Sequence, residues 1–313
     1  MEIEITPRAP FDFEATARFL RYTEAEAVDT FSEGRYARAS HFGKRLHLLN
    51  VRSRGTRARP LLVASFERGS GASLKEKEQA AALVRHIFST EHDLKKFRAR
   101  VADDRVMREL EAAHRGLHMA RWPTLFEALT VSILSQQIST VVAMTLKRRM
   151  VEKFGERLNV GKETFHAFPK PESLARASVE ELRAIGCSGS KALSIIELSQ
   201  RMSDGELDEE QLRSADNESV IERLISLRGI GRWTAEWALM LHFGRTDVFP
   251  AGDLAFRNFV LKYYNEGRRM TEREIRAFAA ERWGEWSSYA GIYCLAGMRA
   301  GLINLTSEGV LLS

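Results

Sequence analysis

Cysteine is scarce in this chain of 313 residues. The only two, Cys187 and Cys294, lie far apart and in no C-x-x-C pattern. This spacing argues against a zinc site, a disulfide framework and an iron–sulfur cluster. The chain is long enough to bury a sizeable core, and we expect it to form two or three lobes.

Long apolar runs are missing as well. No run approaches the roughly 20 apolar residues that a membrane-spanning helix needs. The first ten residues, MEIEITPRAP, are acidic and poor in apolar side chains, unlike a signal peptide. The balance of 44% hydrophobic and 28% charged residues is that of an ordinary globular protein. We therefore expect a soluble, cytoplasmic protein with no membrane association.

A broad positive charge is missing from most of the chain. The formal net charge is +5 and the isoelectric point about 9.3, which permits nucleic-acid binding without demonstrating it. The basic excess lies in the first 124 residues, and the remainder is close to neutral. Any nucleic-acid contact in the remainder would therefore depend on backbone amides and a few placed side chains.

The first 90 residues have the pattern of an α+β unit. We predict helices at 13–20 and 75–88 and strands at 45–51 and 60–66, whereas 31–40 is mixed in character. Basic residues without a neighbouring acid lie in and around the turn between the strands, and they either contact DNA or form the solvated rim of a hairpin. They are Lys44, Arg45, Arg52, Arg54, Arg57 and Arg59.

Beyond residue 90 the pattern is almost wholly helical. Residues 93–110 are charged and amphipathic, in keeping with this helical pattern. Thr124 is a candidate N-cap for a helix at 125–134, and Glu127 stands where the carboxylate of a capping box belongs. A polar turn at 135–139 precedes the next helical run.

The stretch 224–256 contains a tight turn between two helical runs. The first run ends in L-R-G-I-G at 227–231, and the second follows at once. Two glycines around one aliphatic residue allow a turn in which Ile230 points inward and the N–H groups of Gly229 and Gly231 face outward. Bare amides at a positive helix end suit a phosphate oxygen, although an ordinary corner between helices has the same pattern.

Five short segments together resemble a known enzyme family. L-R-G-I-G and the later P-A-G-D at 250–253 are similar to the hairpin and the catalytic turn of the helix-hairpin-helix DNA glycosylases. L-S-Q-Q-I-S at 134–139, the corner 186–191 and W-x-x-Y-A at 286–290 look like the 3-methyladenine DNA glycosylase II, or AlkA-like, branch. The N-terminal α+β unit is similar to the extra domain of that branch.

The resemblance implies a mainly α protein with an N-terminal α+β domain. The body would be two-lobed, with a small antiparallel sheet in the N-terminal domain. We assign residues 1–90 to that domain and 125–245 to the lobe that carries the helix-hairpin-helix. Residues 91–124 and 246–313 would form the lobe that carries the catalytic aspartate.

The resemblance also implies a DNA-binding surface. The hairpin would bind a backbone phosphate, and a side chain of the 135–139 turn would fill the space left by a flipped nucleotide; otherwise that turn only caps helices. A monovalent cation, Na or K, could bind the carbonyls of Leu227 and Gly229, and no other cofactor is required. The implied DNA contacts are Gln136, Gln137, Arg228, Gly229, Ile230, Gly231, Arg232 and Thr234.

An aromatic base pocket is the next implied feature. Trp233 and Trp237 are four residues apart and share one helix face. An indole face favours a cationic alkylated purine over a neutral one by about 0.5–2 kcal/mol. The stacking tryptophan of some family members aligns with about Leu295, so Tyr289 or Tyr293 would take its place. The alternative is that these aromatic residues only pack helices.

Asp253 matches the catalytic aspartate of the family. A carboxylate there would stabilise the positive charge that develops on the sugar and would orient the attacking water. The same residue can cap a helix at 254–263, and Asp247 is the nearest rival. Bifunctional members carry a lysine nucleophile where this chain has Trp233.

The expected function is therefore a monofunctional DNA glycosylase for alkylated purines. Its substrates would be 3-methyladenine, 7-methylguanine and hypoxanthine in damaged double-stranded DNA, and the enzyme would be a monomer. Two alternatives remain open at this point: a bifunctional glycosylase/lyase for oxidised purines, and a non-catalytic protein that binds damaged DNA.

Overall fold

The N-terminal domain is an antiparallel sheet with two helices. The computed structural model describes residues 2–20, 26–67 and 71–305. The sheet order is β1-β5-β4-β3-β2. The elements are β1 (Ile3–Ile5), α1 (Phe13–Leu20), β2 (Asp29–Ser32), β3 (Arg35–Phe42), β4 (Arg45–Ser53), β5 (Leu62–Phe66) and α2 (Leu74–Ile87). The predicted helices and strands of this domain are thus confirmed.

The mixed segment 31–40 proves to be most of a hairpin. Ser32 pairs with Arg35, and the two residues between them, Glu33 and Gly34, have φ values of 51° and 68°. Two positive φ values are typical of the tight turn that matches the twist of paired strands. Glutamate is uncommon in this conformation, so the turn was hard to recognise from the sequence.

Three of the six basic residues around β4 form ion pairs within the domain. These ion pairs favour the interpretation of a hairpin rim over that of a DNA-binding arm. Arg45, Arg54 and Arg57 pair with Glu76, Glu2 and Asp12, respectively.

Helices dominate the rest of the described chain, as the sequence predicted. They are α3 (Leu94–Arg100), α4 (Arg105–Ala113), α5 (Leu125–Ser135), α6 (Thr140–Phe154), α7 (Pro171–Ala175), α8 (Val179–Ala184), α9 (Gly189–Ser203), α10 (Glu209–Ser214), α11 (Asn217–Ile225), α12 (Arg232–Ala238), α13 (Leu254–Tyr264), α14 (Glu272–Trp283) and α15 (Ser287–Arg299). A small hairpin follows α6, β6 (Arg157–Val160) with β7 (Glu163–His166), and a π-helical turn, Leu239–Phe243, extends α12. Within the described ranges, none of the helices is both long and apolar enough for a membrane crossing.

The amphipathic segment 93–110 is helical, as the sequence predicted, but it forms two helices, α3 and α4. Asp104 interrupts the helix between them. Its carboxylate accepts from the backbone N–H of Met107 at 3.1 Å and so caps α4. Aspartate competes with the helical backbone in this way, and it therefore favours caps over helix interiors.

The predicted capping box at α5 is half correct. Thr124 Oγ1 accepts from the N–H of Glu127 at 3.1 Å, but the Glu127 carboxylate turns inward. It pairs with the Arg38 guanidinium and lies 3.4 Å from Lys147 Nζ. A buried cluster of charges thereby joins the N-terminal sheet to α5 and α6.

Three apolar clusters form the core. One lies between the N-terminal sheet and α2, and a second fills the helices from α5 to α12. The third packs α3 and α4 against α13, α14 and α15. The hairpin between α11 and α12 belongs to the second cluster, and the turn before α13 borders the third.

Candidate active site

The hairpin between α11 and α12 leaves backbone amides free. Gly229 has a φ of +75°, a conformation that favours glycine, and Ile230 is only 5% exposed. The N–H of Ile230 donates to the Leu227 carbonyl at 3.2 Å. The N–H groups of Gly229 and Gly231 find no acceptor among the residues that the structure describes. They are therefore free to bind an anion at the start of α12.

Arg232, a predicted DNA contact, is engaged in ion pairs in the structure. Its guanidinium pairs with Glu218, with an Nη1–Oε2 distance of 3.0 Å, and with Glu236 at 3.1 Å. Burial raises the pKa of Glu236, while Arg276 Nε, at 2.6 Å, and Arg232 oppose that rise. Arg232 thus belongs to an ion-pair network, whereas Arg228 is exposed and has no carboxylate partner in the described ranges.

The two glutamines of the turn between α5 and α6, residues 136–139, have different environments. Gln136 Nε2 donates to the Gly229 carbonyl at 2.8 Å and lies 3.3 Å from Thr234 Oγ1. Thr234 is 1% exposed. Gln136 and Thr234 are therefore partners within the protein in this conformation, and their contact with DNA stays a prediction. Gln137 is exposed with a φ of +58° and projects from the surface.

The two carbonyls of the predicted cation site each accept a hydrogen bond within the protein. The Leu227 carbonyl accepts from the N–H of Ile230, and the Gly229 carbonyl accepts from Gln136. Each carbonyl oxygen keeps a second lone pair, so binding of Na or K at this pair stays a prediction. Among the described residues no group of three or more His, Cys, Asp or Glu side chains could hold a metal ion.

Asp253 lies in a turn that fixes its carboxylate. The N–H of Asp253 donates to the Pro250 carbonyl at 2.9 Å, which closes the turn. Oδ1 accepts from the N–H of Ala255 at 3.0 Å, so the predicted cap of α13 is present. Oδ2 accepts from the indole Nε1 of Trp233 at 3.1 Å. The carboxylate is therefore held from two directions and remains partly exposed.

Trp233 and Trp237 form an aromatic wall beside Asp253. Their rings are 6.2 Å apart in an edge-to-face arrangement, and both are partly buried. Trp237 stacks on the buried ring of Phe256 at 5.5 Å. Its indole N–H has no hydrogen-bond partner within the described residues. The structure thus gives Trp233 a second role besides the predicted one, as a hydrogen-bond donor to the carboxylate.

Tyr289 and Tyr293 do not line an open pocket. Both are 0% exposed and pack against Phe97. The Tyr289 hydroxyl accepts from the N–H of Met119 at 3.2 Å and bonds His92 at 2.8 Å. Their prediction as pocket residues is therefore wrong, because the hydrophobic core of α15 encloses them.

Asp247 occupies a different environment from Asp253. Its Oδ2 accepts from Asn217 Nδ2 at 3.0 Å. It borders a small cavity of about 160 Å³, which the paired Arg232 and Glu236 also line. No aromatic donor holds its carboxylate, which distinguishes it from Asp253.

The sequence interpretation missed Lys191. Its Nζ donates to the carbonyls of Leu134 and Gln136, both at 2.7 Å, at the C-terminal end of α5. A usable signal was present. Lys191 lies in the first turn of α9, where the helix dipole disfavours a cation, so a partner elsewhere was to be expected.

Comparison with known proteins places this geometry in a family. Residues 130–285 match the HhH-GPD superfamily base excision DNA repair protein, and residues 2–123 match the AlkA N-terminal domain. A DNA-3-methyladenine glycosylase from Bacillus subtilis is 31% identical over 218 residues, 70% of this chain and 72% of that protein. The chain belongs to the HhH-GPD superfamily, in its AlkA-like branch. It is a DNA glycosylase, which hydrolyses an N-glycosidic bond.

Solved structures confirm the fold class of this glycosylase. A 3-methyladenine DNA-glycosylase from Archaeoglobus fulgidus matches with a TM-score of 0.82 and 26% identity, over 95% of this chain and 98% of that one. An 8-oxoguanine glycosylase/lyase from Clostridium acetobutylicum has a TM-score of 0.76 at 17% identity, over 97% and 99% of the two chains. The second likeness shows the shared fold alone.

Proposed function

We propose that this base excision repair enzyme is a monofunctional glycosylase for alkylated purines. It would release 3-methyladenine, 7-methylguanine and hypoxanthine from double-stranded DNA and leave an abasic site. The proposal includes a monomer that acts in the cytoplasm. The observation that carries it is the hydrogen bond between Trp233 and Asp253. It places an indole, which cannot form a Schiff base, beside the carboxylate.

DNA binding prepares the nucleotide for this reaction. A base in a duplex is stacked and paired, so the enzyme must extrude it before the sugar can be reached. The free amides of Gly229 and Gly231 bind a phosphate of the damaged strand. Gln137 fills the vacated space, and exposed apolar side chains lie close to it in the chain, in the turn and at the start of α6. These neighbours are Ile138, Val141 and Val142.

The Asp253 carboxylate catalyses the chemical step through its negative charge. As the C1′–N bond breaks, positive charge develops on the sugar, and the fixed Asp253 carboxylate stabilises it. Water forms the new C1′–O bond and gives its proton to the carboxylate, which passes it to solvent. A cationic alkylated purine leaves as a neutral base, and the ring of Trp233 favours the cationic form before cleavage.

Asp253→Asn tests the catalytic assignment. Asparagine keeps the shape and can still cap α13, but it lacks the charge, so base release should slow by about 3 kcal/mol of barrier or more. Binding to damaged DNA should persist or improve, because the carboxylate opposes anionic DNA in the ground state. Single-turnover release of 7-methylguanine gives the rate. Asp247→Asn is the matched control and should retain activity; the reverse pattern would transfer the catalytic role to Asp247.

Borohydride trapping tests the monofunctional mode. A lyase forms a Schiff base with the sugar, which borohydride reduces to a stable enzyme–DNA adduct. We expect free base, an uncut abasic strand and no adduct, because Trp233 replaces the nucleophile. A covalent adduct together with strand cleavage would support the glycosylase/lyase alternative instead.

A further inference from the structure

The α5–α6 turn is fixed in place without DNA. Leu134 and Gln136 are at the end of α5, where carbonyls lack intrahelical partners. Lys191 Nζ donates to both carbonyls at 2.7 Å. The Gln136 side chain then donates to the Gly229 carbonyl at 2.8 Å. One ammonium and one amide therefore connect α9, the α5–α6 turn and the phosphate-binding hairpin.

A close contact between α9 and the hairpin adds to this connection. A methyl group on Gly229 would lie 2.4 Å from Ser194 Oγ, so the hairpin backbone approaches the Ser194 side chain as closely as glycine permits. Lys191 and Ser194 lie one turn apart on α9. Helix α9 thus contacts both segments proposed to bind DNA. The Lys191 ammonium contacts the α5–α6 turn, and the Ser194 side chain packs against the hairpin.

We propose that Lys191 is a positioning residue that holds Gln137 ready to enter the DNA stack. This proposal rests on the proposed function, because it assumes that Gln137 fills the space of an extruded nucleotide. Gln137 has a φ of +58°, which glutamine seldom adopts without support from its neighbours. Lys191 provides that support by fixing the carbonyl of Gln136, the preceding residue. Without it, the turn would have to become ordered during binding, at a cost in affinity.

Lys191→Met tests the proposal by separating two kinds of DNA binding. The probes are a duplex with a tetrahydrofuran abasic analogue and the same duplex undamaged. The variant should lose about ten-fold or more in affinity for the abasic analogue, because two charge-assisted hydrogen bonds are removed. Affinity for undamaged duplex should stay nearly constant, since the hairpin amides still bind phosphate. Lys191→Arg should restore part of the loss.

Lys153→Met is the matched control. Lys153 Nζ also donates to a backbone carbonyl of the same lobe, that of Glu181 at 3.3 Å, but not near the α5–α6 turn. This variant should bind both duplexes as the parent does. Gln136→Met combined with Lys191→Met should lose less than the sum of the single changes, because both belong to one network.

The results also separate this proposal from the proposed function. Equal losses on both duplexes, or no loss on the abasic analogue, would overturn the role of Lys191. Wild-type protein that prefers the abasic analogue but releases no methylated base would refute the proposed substrates while leaving this role supported.

Discussion

At the scale of single residues, the indole nitrogen of Trp233 is the group to test. Trp233→Phe keeps an aromatic face but removes the N–H that donates to Asp253 at 3.1 Å. A hydrogen bond to a charged group contributes about 1.5–3 kcal/mol, so base release should slow by about ten-fold or more. Single-turnover kinetics with saturating enzyme measures this effect.

Trp237→Phe provides the control for that experiment. The indole N–H of Trp237 has no partner in the described chain, so its removal breaks no hydrogen bond. We expect a much smaller change in rate. Equal slowing in both variants would show that ring size in the aromatic wall matters and that the bond to Asp253 does not.

The sequence predicted which residues form the site better than it predicted which residues they contact within the protein. The cap and position of Asp253 and the inward Ile230 followed from local spacing and turn chemistry. The partner of Gln136 did not, because Gly229 lies 93 residues further along the chain. Sequence shows which side chains are polar, whereas tertiary packing decides whether they meet DNA or each other.

At the scale of elements, the two hairpin glycines should respond differently to substitution. Gly231 has a φ of −98° and no atom within 4 Å of an added Cβ, so Gly231→Val should fold normally. The valine side chain would obstruct the approach of a phosphate to the amides, so affinity for undamaged and damaged duplex should fall together. Fluorescence anisotropy measures this affinity.

Gly229→Ala should instead reduce stability. Its φ of +75° is unfavourable for alanine, and the new methyl group would collide with Ser194. Strain of this kind costs about 1–3 kcal/mol, which a thermal melt detects. If Gly231→Val has an unchanged DNA affinity and an unchanged melting temperature, the hairpin is not part of the DNA-binding surface.

Element prediction succeeded where one local rule acted alone. The helices α5 and α6 and the strands β4 and β5 follow hydrophobic periodicity and match expectation. Periodicity alone did not show where the segment 93–110 divides, because the boundary between α3 and α4 depends on the Asp104 cap. The capping box predicted for the first turn of α5 is only half formed, because Glu127 binds Arg38 of the N-terminal domain. The local sequence around Glu127 does not show that this domain packs there.

At the scale of the whole molecule, buried polar groups join the N-terminal domain to both parts of the helical body and also lie within that body. Lys147 bonds Glu26 at 2.8 Å and contacts Glu127, and His86 of α2 bonds the Trp122 carbonyl at 2.8 Å. Within the helical body, His92 bonds the Tyr289 hydroxyl of α15 at 2.8 Å. Buried charges cost desolvation energy unless they are paired, and removal of one partner typically costs about 3–5 kcal/mol. These junctions should therefore make domain packing specific and sensitive to protonation.

Histidine protonation gives the pH dependence of this packing. Burial, with added repulsion from Arg121, lowers the pKa of His86 and of His92 from 6.5 to about 3. The unfolded chain therefore binds protons below about pH 6.5 that the folded protein does not bind until about pH 3. This contribution to stability is complete above pH 6.5 and is lost progressively as the pH falls. At pH 5 the loss should be about 2 kcal/mol for each histidine.

Thermal melts between pH 8 and pH 5 test this expectation, because the window lies above the range in which most carboxylates titrate. The melting temperature should fall steadily below about pH 6.5. His92→Gln should weaken that fall, because glutamine can accept from the Tyr289 hydroxyl but does not titrate. A wild-type melting temperature that stays constant from pH 7 to pH 5, or an undiminished fall in His92→Gln, would show that protonation of these junctions does not govern stability.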